Sequence, residues 1–266
     1  MLYFLAPSQQ LGGRQMNMPD IRQGANVGIS CHLNSIRFCF NLAETLPRMN
    51  CLIVAATSLE IKMFIQHCRT TEKLNHIDLQ LDFLITGVGM LNTSYSLLKH
   101  VQVKQPHVVL NAGIAGSFST KYAPGSVVVV KDEVIADLGV TEKDGYKDVF
   151  DLKLQQASQF PFTKKKLINP HTVMIQRTKL PAVTGISVNQ ITTSRKTAEL
   201  YTTKYKAVIE NMEGAAVHYV CLREQIPFVQ IRSISNYVGD RNKKNWKINE
   251  AVKNLNAELI RLVESL

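Results

Sequence analysis

The sequence predicts an α/β fold: one three-layer α/β/α domain whose central sheet, mostly parallel or mixed, lies between layers of helices. Three observations carry this. Short apolar runs rich in β-branched residues recur from about residue 50 onward, as strands buried on both faces do. Helix-period stretches separate them. No apolar run approaches the roughly 18 residues that a membrane span requires, so no membrane partner is expected.

Taken in order, CLIVAA (51–56), LDFLI (81–85), HVVLNA (107–112), SVVVV (126–130) and PFVQIRSI (227–234) read as strands. AVIEN (207–211) is also strand-like. Helical patterns fall at about 58–69, 90–103, 195–203 and 213–225. A final amphipathic helix at about 247–265 carries Ile248, Val252, Leu255, Leu259, Ile260 and Val263 on its apolar face. The segment 141–180, rich in Lys, Gln and Asp, reads as an irregular surface excursion with room for short helices.

Residues 1–48 differ from the rest. SQQLGGRQMNMPDIRQGANVGIS (8–30) has no sustained period and reads as loop or disorder, and MLYFLAP lacks the basic start of a signal peptide. Met49, immediately before the first strand, is the expected natural start. Residues 1–48 are then a disordered or non-native extension, with a transit segment as the alternative, and 49–266 form the working domain.

The five cysteines, Cys31, Cys39, Cys51, Cys68 and Cys221, show no CxxC spacing. This pattern fits reduced thiols in a cytoplasmic protein and gives a metal site no support. The net charge of +10 is spread thinly, and its basic clusters (164–166 and 241–247) are not interleaved with stacking aromatics. A nucleic-acid partner is therefore not expected, although anionic small molecules would benefit from the field.

Three strand ends gather glycines and polar groups. TGVGM (86–90), which contains Gly89 as a candidate substrate-binding residue, opens a helix whose amino terminus would favour an anion. NAGIAGS (111–117) reads as a tight turn after its strand. Neither matches the GxGxxG or GxxxxGK[ST] patterns, so a dinucleotide or ATP cofactor has no support. Glu60, just past the first strand, is either a charge favourable to a helix start or a general base beside a cleft. In ENMEGAA (210–216), Glu213 is either a cap or an acceptor for a vicinal diol, with Met212 offering an adaptable apolar surface.

Together, CLIVAATSLE, TGVGM, NAGIAGS, ENMEGAA and PFVQIRSISN resemble, in order and spacing, the nucleoside phosphorylase and nucleosidase superfamily over roughly residues 50–266. The tail ISNYVGDRNKKNWKINEAVKNLN is most similar to the futalosine hydrolases, the nucleosidases of an alternative menaquinone route. The resemblance implies hydrolysis of an N-glycosidic bond without metal or organic cofactor, a small nucleoside as substrate, and a homodimer. It places the water-activating glutamate at Glu60, the ribose-binding pair at Met212 and Glu213, the arginine that helps hold the water at Arg232, and the base-side residue at Asn236. Base contacts made largely by backbone fall near Gln190 and Ile191.

One departure is Ile114, where methylthioadenosine nucleosidases carry Ser. One water contact must then be supplied otherwise, and a tight phosphate site becomes harder to build. Asn236 stands where adenine-specific relatives have Asp. Its NH2 can donate to O6 and its carbonyl can receive a protonated N7, which favours hypoxanthine over adenine. Three alternatives stay open: a methylthioadenosine or adenosylhomocysteine nucleosidase, a purine nucleoside phosphorylase, and a non-catalytic nucleoside- or nucleic-acid-binding module.

Overall fold

The computed structural model describes residues 49–71 and 79–265. The extension expected over 1–48, with Cys31 and Cys39, lies outside the described residues. In chain order the elements are β1 (Met49–Ala55), α1 (Ser58–Thr70), β2 (Leu79–Ile85), α2 (Met90–Lys104), β3 (Val108–Ser117), β4 (Val127–Ile135), β5 (Gly139–Glu142), β6 (Gly145–Asp148), β7 (Leu167–Ile168), α3 (Thr172–Arg177), β8 (Ala182–Ser187), α4 (Arg195–Tyr205), β9 (Ile209–Asn211), α5 (Gly214–Arg223), β10 (Phe228–Tyr237) and α6 (Ile248–Val263).

The α/β class holds, and the sheet is mixed. β2, β1, β3 and β10 run parallel, while β4 is antiparallel to β10 and β9 is antiparallel to β3. β4, β8 and β9 are joined by parallel pairings. Because β3 also pairs with β10, the strands β3–β10–β4–β8–β9 close into a ring, with β1 and β2 extending from β3. Closure needs a strand long enough to be shared, and β3 meets β1 through its first half and β9 through its last residues.

Helices cover both faces. On one, Ile61 and Phe64 of α1 and Leu255, Leu259 and Val263 of α6 pack on Ile53, Leu110 and Ile231. On the other, Leu97 and Val101 of α2 and Val217 and Cys221 of α5 pack on Leu52, Val54 and Val109. The alternation of Ile53 with Leu52 and Val54 between these clusters follows the two-residue period of a strand. Fully burying each such aliphatic side chain contributes about 1.5–3 kcal/mol.

Two expectations change. NAGIAGS is not a turn after β3 but its second half, since the strand runs on to Ser117. Segment 141–180 contains the β5–β6 hairpin, β7 and one short helix, as well as irregular chain. Strand β8, in the middle of the ring, was not expected. Its run AVTGIS is interrupted by Thr184 and Gly185, and Gly185 is required because a Cβ there would strike the Glu133 carboxylate at 2.6 Å.

Cys51, Cys68 and Cys221 are free thiols. Among the described residues, no helix is long and apolar enough to cross a membrane.

Candidate active site

A cavity of about 340 Å³ opens at the carboxyl ends of β1, β3 and β10, where α/β folds place ligands. Glu60, Ile114, Ile191, Met212, Glu213 and Asn236 line it together, though they come from five separate stretches of chain.

Glu60 sits in the first turn of α1 and is buried. Its Oε2 accepts from the Thr57 backbone N–H at 2.9 Å and the Thr57 hydroxyl at 3.2 Å, and its Oε1 accepts from the Ile114 N–H at 3.1 Å. The capping and the cavity-facing readings of this carboxylate therefore coexist. A carboxylate offers about four acceptor sites, so these three donors orient it and leave room for one more. Ile114 takes part through its backbone, which needs no particular side chain.

Asn256 of α6 fixes the same turn from behind. Its Oδ1 accepts from the Phe64 N–H at 2.7 Å and its Nδ2 donates to the Glu60 carbonyl at 2.8 Å. An α-helix ordinarily joins that pair directly, so the amide bridges the ladder at the turn that carries Glu60.

Arg232, on β10, is 1% exposed and does not line the cavity. It lies beneath Gly113: a Cβ on that glycine would come within 2.5 Å of Arg232 Nη1 and 3.0 Å of Glu60 Oε1. The absent side chain thus lets the guanidinium and the carboxylate approach the same point. Arg232 Nε and Nη2 are buried without a hydrogen-bond partner among the described residues.

Glu213 stands at the amino end of α5, and its Oε1 accepts from the Gly89 N–H at 3.0 Å. Gly89 has φ +93°, a backbone region that suits glycine, and opens α2. The anion that the TGVGM helix start favours is thus the protein's own carboxylate. Burial raises the Glu213 carboxyl above its ordinary range, and the Arg232 charge opposes that rise.

The Glu213 turn rests on a buried network. Asn211 Oδ1 accepts from the Glu213 and Gly214 N–H groups at 3.0 and 2.6 Å, and Asn211 Nδ2 donates to Glu133 Oε1 at 2.7 Å. Gln230 Nε2 donates to the same Glu133 oxygen at 2.8 Å, and the Ser187 hydroxyl reaches the other at 3.1 Å. Burial pushes the Glu133 carboxyl up to about 7. Gly214 is needed because a Cβ there would collide with Glu133 and Gln230.

Asn236 lies beyond a register shift in β10 between Ile234 and Asn236, the kind of irregularity that re-aims a side chain. Its Oδ1 accepts from the Ser235 hydroxyl at 2.7 Å, and its Nδ2 donates to the Tyr237 carbonyl at 2.9 Å. One amide hydrogen and one acceptor site remain for a ligand. Ile191 lines the cavity, whereas Gln190 does not: its N–H is turned to Asp137 at 3.3 Å. At the mouth, the Arg241 guanidinium stands 5.2 Å from the centre of the Trp246 ring.

The model of the phosphorylase superfamily matches residues 52–265. The chain belongs to that superfamily. Futalosine hydrolase of Thermus thermophilus is 28% identical over 182 residues, which span 68% of this chain and 80% of that one. A 5'-methylthioadenosine/S-adenosylhomocysteine nucleosidase of Buchnera aphidicola is 23% identical over 192 residues, or 70% of this chain and 79% of the relative. Among solved structures, native futalosine hydrolase of Helicobacter pylori superposes with a TM-score of 0.67 at 15% identity, covering 82% of this chain and 99% of that one. The 5'-methylthioadenosine/S-adenosylhomocysteine nucleosidase of the same organism, in complex with butyl-thio-DADMe-Immucillin-A, gives 0.68 at 16% with the same coverage.

Superfamily membership thus agrees with the fold. Three side chains were missed at the sequence level. Asn256 is the last residue of the quoted NLN, and Asn211 and Glu210 stand inside ENMEG. The register between distant strands and helices, which no local pattern contains, is what brings them to the site.

Proposed function

We propose that this protein is a nucleosidase that hydrolyses the N-glycosidic bond of futalosine, releasing hypoxanthine and dehypoxanthinyl futalosine. The observation that carries the reading is the convergence of Glu60, Met212, Glu213 and Asn236 on one cavity in a chain of this superfamily. Futalosine hydrolases stand among its relatives at 28–29% identity, which supports that substrate.

In this reading water attacks C1′ as the bond to the base nitrogen breaks, through a sugar with oxocarbenium character. Glu60 takes the water proton at its remaining acceptor site. Arg232 does not line the cavity, so in place of the expected direct contact with the water its charge acts from beneath, next to Glu60 Oε1. Glu213 accepts hydrogen bonds from the ribose diol, and Met212 packs on the sugar. The base leaves with the bonding electron pair and takes up a proton from solvent to become hypoxanthine, while Asn236 hydrogen-bonds its O6 and N7 edge. Ile191 and the backbone near it flank the base, while Gln190, turned to Asp137, has no contact with the cavity. Futalosine also carries a benzoate carboxylate, for which Arg241 over Trp246 is a fitting partner at the mouth. Gly89 serves by holding Glu213.

The phosphorylase alternative fits less well, because the Gly89 amide that an incoming phosphate would use is engaged by Glu213. Homodimer assembly and a cytoplasmic location belong to the same proposal. The test offers futalosine, aminofutalosine, methylthioadenosine and inosine to the full chain in phosphate-free buffer and measures released base by chromatography. Hypoxanthine from futalosine supports the reading. Adenine from methylthioadenosine with futalosine untouched would overturn it.

A further inference from the structure

We infer that Glu210 is a second base-reading residue, which selects 6-oxopurines by accepting their N1–H, opposite Asn236. This rests on the nucleosidase reading above and assigns the far edge of the base.

The geometry begins with strand register. Gly116 of β3 pairs with Glu210 of β9 on one side and with Asn236 of β10 on the other. Register partners across a sheet project to the same face. Strands spaced about 4.8 Å apart put the two flanking backbones roughly 10 Å apart. Gly116 carries no side chain, so Val238 Cγ2 and Asn236 Nδ2 come within 3.0 and 3.6 Å of where its Cβ would stand, and both flanking side chains line the cavity. A planar base held in the cavity can then turn one edge toward Asn236 and another toward Glu210.

Glu210 is also chemically incomplete. It is 6% exposed, its Oε1 accepts from the Thr192 N–H at 3.0 Å, and its Oε2 is buried with no hydrogen-bond partner among the described residues. The neighbouring Thr192 hydroxyl is likewise buried and unpartnered. A buried carboxylate oxygen without a donor is costly, and native structures leave such groups where a ligand completes them. Burial raises the Glu210 carboxyl above its ordinary range, the direction expected while that donor is missing.

The missing partner is a donor, and this decides the ligand chemistry. An ionised carboxylate only accepts. Position 1 of a 6-oxopurine carries N–H, whereas N1 of adenine is an acceptor and would face the carboxylate with lone pairs on both sides. Sites built to pair a particular N–H reject analogues that lack it, because their own buried group is left unpaired. Asn236 reads O6 and N7 and Glu210 reads N1, so the two reinforce one preference from two edges.

The test measures affinities of hypoxanthine, adenine and 1-methylhypoxanthine for the full chain by calorimetry, with wild type and Glu210→Gln. Wild type is expected to bind hypoxanthine tighter than the other two by roughly tenfold or more. The near-isosteric Glu210→Gln, with its amide oxygen on Thr192 and its NH2 toward the base, should lose roughly tenfold for hypoxanthine and gain for adenine. Unaltered thermal unfolding would show that the fold is intact. Equal hypoxanthine affinity in the variant, equal binding of 1-methylhypoxanthine and hypoxanthine by wild type, or no hypoxanthine binding at all would overturn the inference. Glu210-dependent hypoxanthine binding without cleavage of any nucleoside would instead sink the hydrolase reading and leave this one standing.

Discussion

The part of the cavity that carries Glu60 and the part that carries Glu210 treat a buried carboxylate in different ways. Glu60 receives three donors from its own helix start and from β3, and Asn256 grips the turn from behind. Glu210 receives one, and its second oxygen is left bare. The difference matches the two tasks proposed for them. A group that must take a proton from water works best when its orientation is settled before substrate arrives. A group that must recognise a base gains selectivity when only the right ligand can complete it.

Substitutions can break or sharpen that contrast. The largest effect belongs to Glu60. Glu60→Gln keeps the shape but removes the base, and kcat for base release should fall by about a hundred- to ten-thousandfold, measured as initial rates.

In the proposed reading Asn236 belongs to the recognition side, and its substitution should change preference more than rate. Asn236→Asp is expected to move the ratio of kcat/KM for 6-oxopurine over 6-aminopurine nucleosides toward the amino substrate, by about five- to a hundredfold. An unchanged ratio would leave Asn236 as part of the strand end only.

Asn256→Leu tests whether positioning at a distance matters. The Glu60 carbonyl and Phe64 amide would then be free to bond each other, and the α1 turn would shift under the carboxylate. A roughly tenfold fall in kcat with little change in KM is expected, because small displacements of a catalytic group are costly. Equal losses in both would point to general loosening of the fold.

The smallest effect concerns stability. Glu133, beneath the Glu213 turn, titrates at about 7 in the fold, above the roughly 4.3 of a free carboxyl. The fold therefore holds this proton more tightly than the unfolded chain. The stabilisation is fully present below the unfolded value and is lost as pH rises through about 7. His218, pushed down to about 4 by burial, contributes the opposite slope, since its stability is lost as pH falls. Glu133→Gln should therefore gain on wild type by an amount of order 1–3 kcal/mol between about pH 5 and pH 8. Urea unfolding at the two pH values checks this against a parallel wild-type series.

The same contrast explains what was legible in the sequence. The β1–α1–β2–α2–β3 half reads directly, because its strands are continuous apolar runs and its helices keep their period. Glu60 was visible there for the same reason, as a carboxylate just past a strong strand. The ring's other half was harder. β8 is short and carries Thr184 and Gly185 in its middle, so its apolar signal is broken by the glycine that makes room for Glu133. NAGIAGS read as a turn because glycines there suggest one, whereas the structure uses Gly113 to admit Arg232 and Glu60 and Gly116 to let Val238 and Asn236 close over the strand. Arg232 was expected beside the water and instead lies buried next to Gly113, without lining the cavity. Asn211, Glu210 and Asn256 depend on Glu133, Thr192 and the Glu60 carbonyl, 78, 18 and 196 residues away, and local pattern cannot supply those.

The central claim is that water, activated by Glu60, cleaves the bond without phosphate. Its most direct test is the initial rate of hypoxanthine release from futalosine in phosphate-free buffer, for wild type and Glu60→Gln, repeated after adding phosphate. The account predicts rapid release by wild type that phosphate does not raise, and a loss of at least about a hundredfold in the variant. Release that begins only when phosphate is added, or that survives in Glu60→Gln, would contradict it.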